Sequence, residues 1–329
     1  GVLVVDREKK IRYANAALGR LLRDLPEKMD GALYTGAIRK PELIDLIDRA
    51  FKGDDRRESF VVREKAEIFL EAQAVSIADG VLVVVHDMTE RHRLEETRRT
   101  FIADAGHEFQ TPLTSIRAAA ELLLDDASPD PEKTRDMAGK IVLQQERMTA
   151  LVDDLLLLSR LESDITPEPG EPLDLKEMIE DVVNYQKETP QAAYIAWEME
   201  LPDGAPFNGR PGEIGRALGN LVDNAVKYTR KRFGETPGGV IRVSMEEQDK
   251  GWKILVGDNG TGIDEKIRET VFERFKRGET SRYREGVSPG GYGLGLAIAR
   301  RIIESHGGSI EAQDISEGAS ISVFFPFKG

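Results

Sequence analysis

Cysteine is absent from the 329 residues. That excludes disulfides, thiolate metal ligands and thiol catalysis, and is compatible with a reducing cytosol. No apolar run approaches the roughly 18 residues that a membrane-crossing helix needs. The longest, such as Val81 to Val85 and Leu155 to Leu158, are the size of core segments. Positive charge is in deficit, with 46 Lys and Arg against 59 Asp and Glu and a formal net charge of −13. No broad basic face is therefore implied, and nucleic acid is not an expected partner. The chain opens on GVLVVDREKK, a strand-like run without an initiator Met or signal-peptide n-region. It reads as a cytoplasmic fragment of something longer, with any membrane segment outside it. With 40% hydrophobic residues, this length predicts about two or three globular domains.

Val2 to Val5 and Ile11 to Ala14 read as short strands joined by a charged turn, followed by a helix from about Asn15 to Leu25. Pro41 to Phe51 reads as a helix ending at Gly53, and Ser59 to Arg63, Ile68 to Val75 and Gly80 to His86 as three further strands. This mixture predicts an α+β sensor domain over residues 1–88. Asp87 or Thr89 is placed to cap a charged helix that runs from Glu90 into FIADAGHEFQTPLTSI. Apolar positions Leu94, Phe101, Ala105, Phe109, Pro112, Ile116, Ala120 and Leu123 follow helical spacing. His107 lies off that face, with Thr111 one turn on and Glu108 on the neighbouring stripe. Pro112 cannot donate to the Glu108 carbonyl, so a local bend is expected there. An isolated helical histidine of this kind is most often a solvated surface residue.

The helix should end near Asp126, and ASPDPE starts another at Ser128 to Pro131. Ile141, Gln144, Met148, Leu151, Leu155, Leu158 and Leu161 form its apolar seam. Two such stripes predict an antiparallel helical hairpin over 89–165 that completes a four-helix bundle as a homodimer. A linker, TPEPGEP at 166–172, precedes a layered α/β sandwich over 173–329. Its helices are expected at Leu175 to Lys187, Pro211 to Tyr228, Asp264 to Phe272 and Leu294 to Ser305. Its strands are expected at Tyr194 to Glu200, Gly239 to Glu246, Trp252 to Asp258, Ser309 to Gln313 and Ala319 to Phe325.

Four signals fall in order within this sandwich. In NLVDNAVKYT, Asn220 and Asn224 share a helix face and can offer amide oxygens to Mg²⁺ or hold phosphate oxygens, followed by Lys227 and Tyr228. In DNGTGI, Asp258 ends a strand where a carboxylate can accept an adenine amine, while Gly260 and Gly262 let the backbone approach the adenine ring closely. In VFERFKRGE, Phe272 and Phe275 can anchor a mobile loop, with Arg274, Lys276 and Arg277 facing phosphates. In GGYGLGLAIARRIIE, Gly290, Gly291, Gly293, Leu294 and Gly295 lead into a helix whose N-terminus can cradle an anion. The span from Glu279 to Gly291 is fit to be a lid. Each motif alone has an ordinary structural reading; their order makes an ATP site.

With these motifs in place, the chain resembles sensor histidine kinases of two-component signalling, close to the phosphate-responsive subgroup. The strand pair, YANAALGRLL and HDMTE of the first segment resemble a PAS domain, for which no ligand is assigned. The resemblance makes HEFQTP the H box and the four later motifs the N, G1, F and G2 boxes of a Bergerat-type ATP-binding domain. It implies that His107 is the phosphoacceptor, Glu108 its proton acceptor, Asn224 the Mg²⁺ ligand and Asp258 the adenine ligand. A response regulator receiver domain is the implied partner, Thr111 the implied positioner of water for a phosphatase reaction, and a bacterial inner membrane the implied anchorage of the whole protein. His306, in HGG, is read as structural. Three residues depart from the usual pattern. Gly106, Phe109 and Gln110 stand where Ser, Leu and Arg are usual, and Gly106 lowers helix stability by about 1 kcal/mol relative to Ala. The rival readings are a Bergerat-fold ATPase of the chaperone or mismatch-repair kind, against which HEFQTP discriminates, and a non-catalytic PAS-driven dimeric scaffold.

Overall fold

The computed structural model describes residues 1–22, 30–63, 67–125, 130–162, 169–276, 292–313, 315 and 317–327. The chain divides into two compact units, Gly1–Ala103 and Asp104–Gly329.

The first unit is built on strands β1 (Val2–Asp6), β2 (Ile11–Ala14), β3 (Arg56–Arg63), β4 (Glu67–Ile77) and β5 (Gly80–Asp87), with helices α1 (Ala16–Leu21), α2 (Tyr34–Ala37) and α3 (Pro41–Ala50). The strands form one antiparallel sheet in the order β2-β1-β5-β4-β3. Alternation in β1 and β5 sends Leu3, Val5, Val81, Val83 and Val85 inward, where Leu43, Leu46 and Ile47 of α3 close the core. Asn15 caps α1 by accepting the Leu18 N–H at 3.0 Å, as a β-region Asn before a helix should. Residues Arg23 to Leu25 of the expected helix lie outside the described residues.

Helix α4 (Thr89–Asp125) leaves this sheet on a defined footing. Asp87 Oδ1 accepts the Thr89 N–H at 2.9 Å, so Asp87 serves the helix start. The Thr89 hydroxyl instead accepts the Phe69 N–H of β4 at 3.0 Å, and the His92 ring stacks on Phe69 at 3.7 Å between centroids. His92 is thus a junction residue, while His86 is exposed.

In the second unit, α4 runs on through Pro112 to Asp125 and is followed by α5 (Pro131–Glu162). Along this part of α4 the face expected from periodicity is the less exposed one, with Phe109, Ile116 and Leu123 half-buried and Pro112 buried, whereas Leu94, placed on the same face, is exposed. Leu113, Leu122, Val142, Val152 and Leu156 remain exposed. The lower part of the α5 seam has a second use, because Leu151 and Leu158 are fully buried in the core of the sandwich that follows.

That sandwich comprises β6 (Glu171–Asp174), α6 (Leu175–Lys187), β7 (Ile195–Glu200), β8 (Pro206–Gly209), α7 (Pro211–Phe233), β9 (Gly239–Gln248), β10 (Gly251–Asp258), α8 (Gly295–Ser305), β11 (Ser309–Gln313) and β12 (Ala319–Pro326). The main sheet has the order β11-β12-β10-β9-β7, with only the β7–β9 pair parallel. Helices α6, α7 and α8 bury Ile179, Val183, Leu218, Leu221, Val222, Ile298 and Ile302 against the inward residues of that sheet. Two expectations are corrected. The span Asp264 to Phe272 is not an α-helix but a single 3-10 turn at Glu265–Ile267 followed by turns, because Asp264 caps only that one turn. The end of the expected linker is also structured: Glu171 and Pro172 belong to β6, which pairs with β8, while Thr166 to Glu168 lie outside the described residues.

His306 locks α8 to the start of α7. Its Nε2 accepts the Arg210 N–H at 3.1 Å, which leaves Nδ1 to donate to the Ile302 carbonyl at 2.7 Å. Arg210 also donates to the Ser305 hydroxyl at 2.8 Å. The ring is only 2% exposed and lies between Phe207 and Phe325. His306→Ala is therefore expected to destabilise the sandwich by about 2–4 kcal/mol, combining a cavity with two lost hydrogen bonds. Chemical denaturation with a probe of Trp252 would check it, an unchanged midpoint counting against a structural role.

Candidate functional site

The site grows from helix α7. Pro211 starts it at a position where a missing N–H costs nothing, and the buried stripe Ile214, Leu218, Leu221, Ala225 and Val226 seats it on the sheet. The opposite flank carries Asn220, Asn224, Lys227 and Tyr228, all half-buried. The Asn220 amide donates to the Gly295 carbonyl at 3.0 Å and so ties α7 to the first turn of α8. Lys227 and Lys231 lie over the Tyr228 ring at 5.5 and 6.0 Å, a cationic flank beside the asparagines.

Asp258 ends β10, where strand pairing on both sides places it beside Ile241 and Ala319. Burial pushes its carboxyl up to about 6, against the opposing pull of the Gly260 and Ala319 N–H groups. The Gly260 N–H reaches Oδ1 at 2.8 Å. Gly260 is required for a reason the sequence did not disclose: a Cβ there would stand 2.6 Å from the Tyr228 carbonyl. The turn therefore packs directly on the α7 backbone, and Asp258 is brought against the helix that carries the asparagines.

The third and fourth motifs meet at one backbone bond. Phe275, in a left-handed conformation at φ 58°, donates its N–H to the Gly293 carbonyl at 3.0 Å. Gly293 has φ 74°, and a Cβ on it would lie 2.9 Å from the Phe275 carbonyl carbon. Phe272 and Leu294 anchor this junction in the core, and α8 begins with no side-chain cap on its first turn. Arg274, expected to face phosphates, forms an ion pair with Glu162 at the end of α5. Burial, and secondarily Arg301, push its pKa down. Gly290, Gly291, Arg277 and the expected lid at Glu279 to Gly291 lie outside the described residues.

His107 is exposed on α4, with Glu108 and Phe109 half-buried beside it and Thr111 exposed one turn on. Phe109 packs against the apolar core of the sandwich. The Tyr292 hydroxyl, pushed up mainly by burial, lies in the fields of Arg147 and Glu108. The hairpin is also held by Arg216, which donates to Asp154 at 2.5 Å, with burial raising the Asp154 carboxyl above its ordinary range. Sequence reading missed Asp154, Arg216 and Tyr292; only Tyr292, inside the glycine motif, had a local signal.

The chain thus combines a PAS-like sheet, a long helical hairpin bearing a histidine–glutamate pair, and a layered α/β sandwich. Family comparison agrees along nearly the whole chain. Residues 1–93 match the PAS fold, 97–164 the His Kinase A (phospho-acceptor) domain, and 209–329 the histidine kinase-, DNA gyrase B- and HSP90-like ATPase. Each match covers part of the chain, and the relatives that it resembles over nearly its whole length are sensor kinases. It is 29% identical to the sensor protein kinase WalK of Staphylococcus epidermidis over 98% of its own length and 52% of that relative's. It is equally identical to the sensor-like histidine kinase SenX3 of Mycobacterium tuberculosis, covering 94% of this chain and 73% of SenX3. The chain thus spans about half the length of the WalK relatives. Among solved structures, histidine kinase ThkA in complex with response regulator protein TrrA has the same fold at a TM-score of 0.55 and 19% identity, over 99% of this chain and 95% of that one. Acinetobacter baumannii histidine kinase AdeS matches at 0.52 and 22%, over 68% of this chain and 98% of AdeS.

Proposed function

We propose that this chain is the signalling and catalytic part of a sensor histidine kinase that phosphorylates His107 from ATP and passes the phosphoryl group to an aspartate of a response regulator. The observation that carries this reading is the combination, within one compact unit, of exposed His107 beside Glu108 and half-buried Asp258 ending a strand against the asparagine-bearing helix α7. In the reaction, one imidazole nitrogen attacks the γ-phosphorus and the bond to the β-phosphate oxygen breaks, releasing ADP. Glu108 takes the proton from the other nitrogen. Lys227 and the first turn of α8 face the phosphates, and Arg274 joins them once it leaves Glu162. Asp258 accepts the adenine amine.

No cluster of three His, Asp or Glu side chains suited to a metal ion occurs among the described residues. The donor set fits a hard cation held largely by phosphate oxygens, with the Asn224 amide oxygen as the ligand from the protein. Mg²⁺ so bound would offset charge on the phosphates.

We further propose a homodimer through the hairpin, whose exposed Leu113, Leu122, Val142, Val152 and Leu156 suit a four-helix bundle. The working segments are 1–88, 89–165 and 173–329, with Glu171 and Pro172 of the expected linker 166–172 joined to the last of them through β6. Thr111, on the His107 side of α4, positions water for dephosphorylating the regulator. No helix among the described residues is long and apolar enough to cross a membrane; any anchorage would come from other segments of the whole protein. The histidine on its hairpin favours this reading over a Bergerat-fold ATPase without phosphohistidine, and the retained nucleotide motifs favour it over a non-catalytic scaffold.

Incubation with ATP labelled at the γ-phosphate, followed by a panel of receiver domains, tests the reading. Acid-labile, base-stable label on this chain that moves to one receiver is expected; ATP hydrolysis without protein labelling would favour the ATPase. Separately, Thr111→Ala is expected to slow regulator dephosphorylation while autophosphorylation persists, and an unchanged dephosphorylation rate would remove that role.

A further inference from the structure

The turn that carries Asp258 is fastened more heavily than its own hydrogen bonds require. The Asn259 side chain stitches it to the start of β9: its Oδ1 accepts the Val240 N–H and its Nδ2 donates to the Gly238 carbonyl, both at 2.8 Å. From the other side comes Arg232, in the last turn of α7, one turn beyond Tyr228. Its Nη1 donates to the Asn259 carbonyl at 2.7 Å and to the Gly260 carbonyl at 3.3 Å. Its Nη2 donates to Glu317 Oε1 at 2.7 Å. Glu317 precedes Gly318, whose φ is 76° and where a Cβ would lie only 1.8 Å from the Asp258 carbonyl oxygen. The guanidinium thus joins three segments around the carboxylate: the end of α7, the turn after β10, and the hairpin before β12. Its planar fork suits this use, since two fixed donors reach neighbouring acceptors while a third direction meets a carboxylate. The Phe233 ring, 5.1 Å from the guanidinium, restricts its rotamers further.

We infer that Arg232, held by Glu317, is a positioning residue for nucleobase selection, fixing the Asn259–Gly260 backbone and through it the orientation of the Asp258 carboxylate toward an adenine amine. The inference rests on the nucleotide reading above and deepens it. A carboxylate selects an exocyclic amine only if its oxygen is aimed; a turn that can rock spreads that oxygen over several directions and weakens one directional bond. The consequence is base-selective. Guanine presents a carbonyl where adenine presents its amine, so Asp258 contributes nothing favourable to a guanine nucleotide and loosening the turn removes nothing from it.

The test measures ADP and GDP binding by titration calorimetry, with thermal unfolding, for the whole chain and for Arg232→Met, Arg232→Lys, Glu317→Gln and Asp258→Asn. Arg232→Met keeps the apolar stem and removes the donors. It is expected to weaken ADP about tenfold, the scale of a charge-assisted hydrogen bond, and to leave GDP unchanged. Arg232→Lys, with a point charge in place of a fork, should fall between Met and the unaltered chain, and Glu317→Gln should lower the ADP preference by less. Unaltered ADP binding in Arg232→Met overturns the inference, as does a parallel loss of ADP and GDP affinity with a lowered melting temperature, which marks a merely structural residue. Should Arg232→Met not fold, an unchanged ADP-to-GDP ratio in both Arg232→Lys and Glu317→Gln overturns it equally. A chain that binds no ADP, or an Asp258→Asn variant that binds it unchanged, overturns the nucleotide reading itself, an outcome distinct from failure of the clamp alone.

Discussion

His107→Gln is expected to reduce covalent labelling from γ-labelled ATP to background while ADP binding and thermal stability stay as they were. The reason for expecting so clean a separation is location. His107 is exposed on α4, and its apolar neighbours Phe109 and Pro112 supply the packing. Substitution of an exposed helical residue away from caps and cores changes stability by about 0.5 kcal/mol or less. Glutamine keeps the length and polarity of the side chain and removes only the nucleophilic ring. Phosphoryl transfer with no imidazole leaves no acceptor on that turn, since Glu108 and Thr111 are far poorer nucleophiles without activation. Gel-resolved label and calorimetric ADP titration on the same preparation give both readouts, and label persisting at the unaltered level would remove His107 as the acceptor.

Asp258→Asn is expected to weaken ADP binding by roughly 10- to 100-fold, the range for losing a charge-assisted hydrogen bond in a partly desolvated site. The same carboxylate predicts a pH dependence. Its folded-state pKa is raised to about 6 by burial. For the nucleotide-free protein this contributes stability that is fully present below the ordinary aspartate value and is lost as pH rises through about 6. Nucleotide works in the opposite sense, because the adenine amine donates to the ionised carboxylate and favours its charged form. ADP affinity should therefore fall as pH drops below about 6, approaching tenfold weaker one unit lower, with proton release on binding near the midpoint. Titrations at several pH values in buffers of different ionisation enthalpy check both effects, and Asp258→Asn should flatten the profile. An affinity profile level from about pH 5 to about pH 8 would contradict the role given to Asp258.

The order of elements was legible because each rests on local chemistry. Alternation announced β1 and β5, Pro211 and the stripe from Ile214 to Val226 announced α7, and the three-four spacing from Phe101 to Leu123 announced α4. The failure at Asp264 to Phe272 is instructive. An apolar spacing was present, yet one capped 3-10 turn was formed, since the segment is short and its apolar residues Val271 and Phe272 serve the neighbouring core. The pairing of β6 with β8 was hidden because Pro172 read as the end of a linker, whereas the strands of a two-stranded ladder accept proline, here Pro172 and Pro206.

By itself the sequence determined which chemistries this chain can carry: a histidine beside a glutamate on a helix, amides on one helix flank, a carboxylate closing a strand, and glycines ahead of a helix start. These are properties of residue type and short spacing, which side-chain chemistry and helical or strand periodicity dictate without knowledge of the rest of the fold. Only the tertiary structure decided what surrounds them. It placed Gly260 against the α7 backbone, raised the Asp258 carboxyl by burying it, gave Arg274 to Glu162, divided the α5 seam between hairpin and sandwich, and set Arg232 across the turn from a distance of 27 residues. Burial and charge pairing depend on segments far apart in the chain that packing alone brings together, and no local pattern encodes them.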